Sequence, residues 1–569
     1  MFYDFTVEIP EVQSKIYTKI IKGVTYINYE YDRIYKPEKK YNIPKRTTIG
    51  KQCADNPGFM FPNPNFMKFF PDAPLPMDKG KEQRSSCLRI GTHIVLQKII
   101  QESGIVPILE RIYDERGTGL FLDIAAYSLV TENNAGQYYP DYAYNHPLFT
   151  PKDRIYSDST VSDFINQINM DEIVTFQNEW NATKDHRDKI YISYDSTNKN
   201  CQAGDIDFLE YGHAKEDKGL PIFNYSIAYD VKNRDPLFYE EYPGSIVDVS
   251  QLQYMLDKAK GYGYKHAGFI LDRGYFSEAN IGFMDQCGYE FIIMARGMKA
   301  FISQQVLSEK DTFENNRSHF IKHYGVNGTT VKKKMFSSDM KERYIHVYYS
   351  ASKCASERMA FEKTLDKMEQ YMEKMQGKAT ILDKSFERHF NLEYVRHGKK
   401  EVRFIQGTPK DDIIERELKL CGYFCIITSE EMTAKEALEL YKSRDVSEKL
   451  FRADKTFLGN RSPRVHSEES LRGKMLMEFA ALIFRNRMFS QIKDARMKMD
   501  ERPNYMNVPA AIRELEKIEM IRQGDGVYRL DHAITATQKK ILHAFGMDVA
   551  YVKSKAKEIS ERLDLRYRK

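Results

Sequence analysis

The 569-residue chain contains a single tryptophan, seven cysteines and no apolar stretch long enough to cross a bilayer. Its most apolar run, Met475 to Phe484, includes Glu478 and is closed by Arg485. A membrane helix needs roughly 18 uninterrupted apolar residues. The cysteines, at 53, 87, 201, 287, 354, 421 and 425, are odd in number and scattered. Only Cys421 and Cys425 are close; they flank Gly422-Tyr423-Phe424, which reads as a strand entry, so neither a disulfide framework nor a zinc ribbon is expected. The thirteen histidines show no His-Glu-x2-His or paired spacing, which disfavours a zinc hydrolase. A Gly-x4-Gly-Lys-Ser/Thr phosphate loop is also missing, and Gly261-x-Gly263 reads as a turn. There are no internal repeats and no low-complexity tracts. Asp4 and Glu8 stand where a secretory leader would place basic and apolar residues, so a cytoplasmic location is expected.

What is present describes a globular protein. The hydrophobic fraction of 42% and charged fraction of 29% exclude disorder as the main state, and the length predicts about three to four domains. Lys plus Arg exceeds Asp plus Glu, 86 to 81, for a net charge of +5. That excess proves nothing unless the charges cluster. There are 38 tyrosines and 33 phenylalanines, and abundant tyrosine beside lysine suits both solvated sheets and polyanion surfaces, which only leans towards nucleic acid.

Along the chain, Lys22 to Tyr31 alternates β-branched and aromatic residues, and with Tyr41 to Lys51 it predicts a basic hairpin. Pro57 to Pro76 reads as a linker or irregular arm. From Leu88 the period turns helical, with Ile90, Ile94, Val95, Ile99 and Ile100 on one face. Strands are predicted at Ile190–Tyr194, Phe223–Tyr229 and Pro236–Tyr242, then alternating helices and strands at Gly268–Leu271 and Tyr289–Met294. Three antiparallel strands followed by two parallel additions give one mixed five-stranded sheet. That core is interrupted from about residue 298 and resumes near Gly422. The expected organisation is an N-terminal β arm and linker over 1–85 and a helical module over 86–185. A core of 186–298 with 420–495 is split by an insertion domain at 299–419, and a helical region at 496–569 follows.

Asp195 and Asp272 each follow a hydrophobic strand, so in a sheet where those strands are neighbours both carboxylates emerge at one edge. Paired hard oxygen ligands suit Mg²⁺ or Mn²⁺, although an Asp at a strand end is more often a turn former. Tyr441, Arg444, Glu448 and Lys455 are spaced by three, four and seven, within a sector of roughly 60° of one helical face. A solvated helix side laced with i,i+4 pairs explains that spacing equally. Asp205, Asp207, Asp230 and Asp235 lie in loops or turns where Asp is ordinary. Lys332-Lys333-Lys334 and the basic 551–569 stretch read as DNA-facing or simply solvated.

Tyr441-x2-Arg444-x3-Glu448-x6-Lys455 resembles the Y-R-E-K signature of a large group of bacterial insertion-sequence DDE transposases. Asp272-Arg273-Gly274-Tyr275 is similar to the context of that group's second aspartate, and Asp195-Ser196-Thr197 to that of the first. Gly212-His213-Ala214-Lys215-Glu216 and Pro243 to Asp248 look like its linking segments, in the same order over about residues 189–490. Arg46 to Lys51 is similar to some N-terminal arms. The resemblance implies a ribonuclease-H-like α/β fold whose catalytic acids Asp195, Asp272 and Glu448 hold two Mg²⁺ or Mn²⁺ ions. It further implies that Tyr441, Arg444 and Lys455 contact DNA phosphate. Substrates would be double-stranded DNA: the element's terminal inverted repeats and a target. The protein would act as a homodimer in the end-paired complex, nucleoid-associated when bound. An insertion before the glutamate helix is likewise implied; 175 residues separate Asp272 from Glu448 here. A metal-dependent nuclease of the same fold, and a catalytically dead DNA-binding protein, are the alternatives.

Overall fold

The computed structural model describes residues 2–563 except 4, 38–39, 55, 72, 74–83, 204–205, 213, 296–298, 337–338, 340, 398–400, 502 and 525. Asp205, His213, Asp525, part of the 57–76 stretch and the end of the basic C-terminal segment therefore lie outside the described residues. The chain packs as two compact units, residues 1–176 with 453–569, and residues 177–452.

The first unit begins with a five-stranded antiparallel sheet of β1 (Val7–Glu8), β2 (Ile16–Ile21), β3 (Val24–Lys36), β4 (Tyr41–Gln52) and β5 (Phe59–Pro62), in the order β1-β5-β4-β3-β2. The basic hairpin predicted from the alternation is β3 paired with β4. One face buries Ile27 and Ile49 with Val7, Met60 and Phe66. The stretch expected to be irregular instead supplies β5 and a short helix, Pro64–Phe69. Asn63 caps that helix by accepting from the Asn65 and Phe66 N–H groups, and proline at the first position costs no hydrogen bond there. After β6 (Cys87–Arg89) come helices Gly91–Ser103, Val106–Ile112, Glu115–Thr131, Tyr139–Asn145 and Asp158–Gln167. Ile90, Ile94, Val95, Ile99 and Ile100 are all buried, as their helical period requires.

The second unit is organised by a mixed sheet. β7 (Ile190–Asn200), β8 (Ile222–Asp230) and β9 (Asp235–Pro243) form an antiparallel meander. Helix Asp248–Gly261 then leads to β10 (Ala267–Leu271), parallel to β7, and helix Glu278–Cys287 to β11 (Glu290–Met294), parallel to β10. Helix-linked crossovers are what parallel pairing demands. At Gly268 the neighbouring Tyr191 ring lies so close that an added Cβ would sit 2.6 Å from it, so β7 and β10 meet in a way only glycine allows.

The expected five strands are in fact nine. β12 (Phe320–Ile321), β13 (Val326–Lys333) and β14 (Arg343–Tyr349) form a meander within the predicted insertion. β15 (Phe390–His397) and β16 (Glu401–Pro409) form a separate hairpin, packed with helix Ala351–Met375 through Leu365, Met372, Phe390 and Phe404. β17 (Tyr423–Thr428) then returns antiparallel between β11 and β14, giving the order β12-β13-β14-β17-β11-β10-β7-β8-β9. The insertion is thus partly continuous with the core sheet, because β17 offers buried Cys425, Ile426 and Ile427 to partners on both sides.

Both faces of this sheet are covered. Ile192, Tyr194, Phe269 and Leu271 point into a core with the crossover helices, while Ile270, Ile292 and Ile426 pack with Leu438 and Tyr441 of helix Ala434–Lys442. The chain ends in the first unit, where helix Glu468–Met497 packs on Glu115–Thr131 and Asp158–Gln167, and β18 (Glu519–Arg522) joins β19 (Tyr528–Leu530) to β6. Among the described residues no helix is long and apolar enough to cross a membrane.

Candidate active site

Strand alternation decides which side chains meet. With Ile192 and Tyr194 committed to one core, Ser193 and Asp195 must point to the opposite face of the sheet. The β7–β10 register pairs Ser193 with Ile270 and Tyr194 with Leu271. Asp195 and Asp272 are each the next residue, side by side on the face covered by the helices that follow β17. Asp195 does not end its strand as predicted: β7 continues to Asn200, because Asp195 to Asn200 all pair with β8. Asp272 does lie just past β10, at the start of the turn Arg273–Tyr275.

The Tyr441–Glu448 segment is not one uninterrupted helix. Helix Ala434–Lys442 stops, Ser443 and Arg444 form a turn, and helix Asp445–Arg452 begins. A single 100° step across all four signature residues therefore does not describe it. The turn sends the Arg444 guanidinium to the sheet, where Nη1 lies 3.4 Å from Asp195 Oδ2 and 3.7 Å from Asp272 Oδ1, and Nη2 3.3 Å from Glu448 Oε1. One cation thus faces all three acids. The Tyr441 hydroxyl, on a buried side chain, lies 3.5 Å from Asp272 Oδ1. Lys455 belongs to the first unit, half-buried on the π-helical turn Ala453–Phe457.

The electrostatics follow from burial. The Asp195 carboxyl is pushed up to about 6 by desolvation, against the pull of Arg444 and of the Ser196 N–H that it accepts at 2.9 Å. Burial also lifts the Tyr441 hydroxyl to about 12, opposed by Arg444 and assisted by Asp272. Desolvation works against the Arg444 charge, yet Asp272, Tyr441, Asp195 and Glu448 together raise its pKa. Glu448 is the open side of the cluster, with 61% of its side chain exposed.

Two further contacts support the cluster. The buried hydroxyls of Ser193 and Ser447 are hydrogen-bonded at 2.7 Å, tying β7 to the helix that bears Glu448. Lys215 Nζ donates to the Ser196 carbonyl at 3.0 Å, which places a second positive charge near Asp195. Ser193 and Ser447 are small polar residues that any strand or helix could hold and carry no sequence signal, whereas Lys215 lies in the 212–216 segment likened to the family's linking segments. Of the other acids, Asp230 accepts the Lys232 and Asn233 N–H groups of its own turn, Asp235 pairs with Lys184 at 3.1 Å, and Asp207 sits in a turn.

The donor chemistry suits a hard divalent cation: three carboxylates lie around one guanidinium, where a positive charge already sits. Among the described residues, no three His, Cys, Asp or Glu side chains are drawn close enough together to ligate an ion; Arg444 is the cation between them.

A family model described as "Transposase DDE domain" matches residues 188–484, just over half of the chain, and this span includes Asp195, Asp272 and the four signature residues. No curated protein matches. Among solved structures, a piggyBac transposase synaptic complex with hairpin DNA aligns over 84% of this chain and 74% of that chain, with 9% identity and a TM-score of 0.31, a likeness too loose to carry an argument. On the family match, the chain belongs to the DDE-domain transposases.

Proposed function

We propose that the protein cuts DNA at the ends of its own insertion sequence and joins those ends to target DNA, with Asp195, Asp272 and Glu448 as the catalytic acids. The observation that carries this reading is the convergence of those three carboxylates on Arg444, from β7, β10 and helix Asp445–Arg452, inside the family segment. The order β9-β8-β7-β10-β11, with its antiparallel meander and two parallel additions, supports a ribonuclease-H-like core.

The three acids would hold Mg²⁺ or Mn²⁺, two ions, which when bound activate the attacking hydroxyl and neutralise the leaving oxygen. The protein's own groups do the rest. Arg444 can exchange its carboxylates for a DNA phosphate, offering two parallel N–H donors. Tyr441 and Lys455 supply further phosphate contacts, and Ser447 holds the Glu448 helix on the sheet. One phosphodiester is exchanged for another, so no nucleotide triphosphate is needed. Two element ends must be paired before joining, which calls for a homodimer on DNA. The N-terminal sheet and the helices of residues 91–167 would hold the ends.

The test uses a plasmid bearing the gene's flanking DNA, a second target plasmid, and Mg²⁺ or Mn²⁺. Wild type is expected to cut at the flanks and join the ends to the target, and Asp195→Asn to do neither while still binding. Cutting without joining would make the protein a nuclease. Equal activity in the Asn variant would remove Asp195 from the chemistry.

A further inference from the structure

β3 and β4 are longer than the sheet that contains them. β2 pairs with β3 only from Val24 to Tyr29. Beyond that point, five pairs from Asp32–Lys45 to Lys36–Tyr41 continue as a bare two-stranded ribbon, about 17 Å long at 3.4 Å per residue. Residues 31–37 are all exposed, including Tyr31, Ile34 and Tyr35 at 43%, 43% and 57%. Isolated two-stranded ribbons are at best marginally stable in water, so apolar and aromatic side chains on one are informative.

Its charge names the partner. Residues 30–46 contain six basic and three acidic side chains. One of the acids, Glu30, is buried and neutralised between Arg33 and Arg46, at 2.6 and 3.0 Å. Asp32 pairs with Lys45 at 3.5 Å, and the net charge of the segment stays at +3. The register places Arg33 and Tyr35 on the same face as Asn42, opposite the face of Ile34 and Ile43. Arg33 donates its Nε to Glu30, has the Tyr17 hydroxyl beside its guanidinium as well, and keeps 61% of its side chain exposed. A bulge between Glu30 and Asp32 adds twist to the ribbon.

We infer that the β3–β4 ribbon enters a groove of duplex DNA, with Arg33, Tyr35 and Asn42 facing the base edges and Lys36 and Lys40 meeting the backbone. This rests on the transposase reading and deepens it. The major groove admits a two-stranded ribbon, and Arg with guanine and Asn with adenine are its commonest bidentate pairs. Phosphate contacts by lysine add affinity without sequence preference.

Full-length protein would be titrated with two labelled duplexes, the gene's flanking ends and a scrambled sequence of equal length, across a salt series. Arg33→Ala/Asn42→Ala should weaken flank binding by about tenfold or more and erase the preference over scrambled DNA. Lys36→Ala/Lys40→Ala should weaken both duplexes alike and reduce the salt slope by about one per lysine. Melting temperatures close to wild type would show that these exposed substitutions spare the fold. Variants that bind both duplexes as wild type does would overturn the inference, and if they also cut and join DNA normally the transposase reading would survive. Binding lost in the variants, from a wild type that never cuts or joins, would support the ribbon and sink the transposase reading. Variants that lose dimerisation but keep DNA affinity would assign the ribbon to a copy–copy interface and overturn the inference.

Discussion

The Ser193 and Ser447 hydroxyls meet at 2.7 Å beneath the acid cluster, both almost fully buried, with Asp195 two residues beyond one and Glu448 next to the other. Either single alanine substitution strands the remaining hydroxyl without its partner, at a cost of about 1–3 kcal/mol, whereas removing both is much closer to neutral. Denaturant unfolding should therefore place Ser193→Ala and Ser447→Ala below wild type, with the double variant no worse than the poorer single one. Additive losses would mean that the hydroxyls act independently.

Arg444 is the counter-charge of three carboxylates. In Arg444→Ala those acids repel one another with nothing between them, so the protein melts earlier and gains more from Mn²⁺ than wild type does. The measurement is the rise in melting temperature on adding Mn²⁺ to each protein. Equal rises would show that Arg444 and the ion do not answer to the same charges.

A different acid contributes to the pH response of the first unit. Asp123 is buried and its carboxyl is pushed from 3.8 up to about 7 by desolvation, against the Phe149 and Thr150 N–H groups that it accepts. A raised carboxyl favours the folded state while protonated. Its contribution is full below the unfolded value and is lost as pH rises towards 7, at up to about 1.4 kcal/mol per pH unit. The difference in unfolding free energy between wild type and Asp123→Asn should move in favour of the variant from pH 5 to 7 and then level off. A difference that stays flat over that range would contradict the assignment.

Gly268→Ala tests the close approach of β7 and β10. The new methyl would lie 2.6 and 2.7 Å from Tyr191 ring atoms, and overpacking of this kind costs about 1–3 kcal/mol. Adding Tyr191→Ala should recover part of that loss, since the ring is the obstacle. Failure of the second substitution to help would locate the strain elsewhere.

The parts of this structure that were legible in the sequence are those written locally. Asp195 and Asp272 are marked in the sequence by the hydrophobic run that each follows, although β7 continues past Asp195 to Asn200. The spacing of Tyr441, Arg444 and Glu448 reads as an unbroken helix, which the structure divides in two. The break at Ser443–Arg444 aims the guanidinium at the acids, and its partner Asp195 is 249 residues away. No window of sequence encodes that pairing. The same limit hid the joining of β12–β14 to the sheet, because the strand that unites them, β17, pairs with segments far from it in the chain.

That uniting strand is the last of the sheet to leave the ribosome, yet it belongs in the interior. Until residues 423–428 emerge, β11 and β14 each present an open edge, and the sheet exists as two incomplete halves. Loop closure over such distances makes this step slow and leaves unpaired backbone exposed meanwhile. During synthesis of residues 350–422 the nascent chain carries these open edges, and a product cut short there would carry two acids of the cluster on an unfinished sheet without the third.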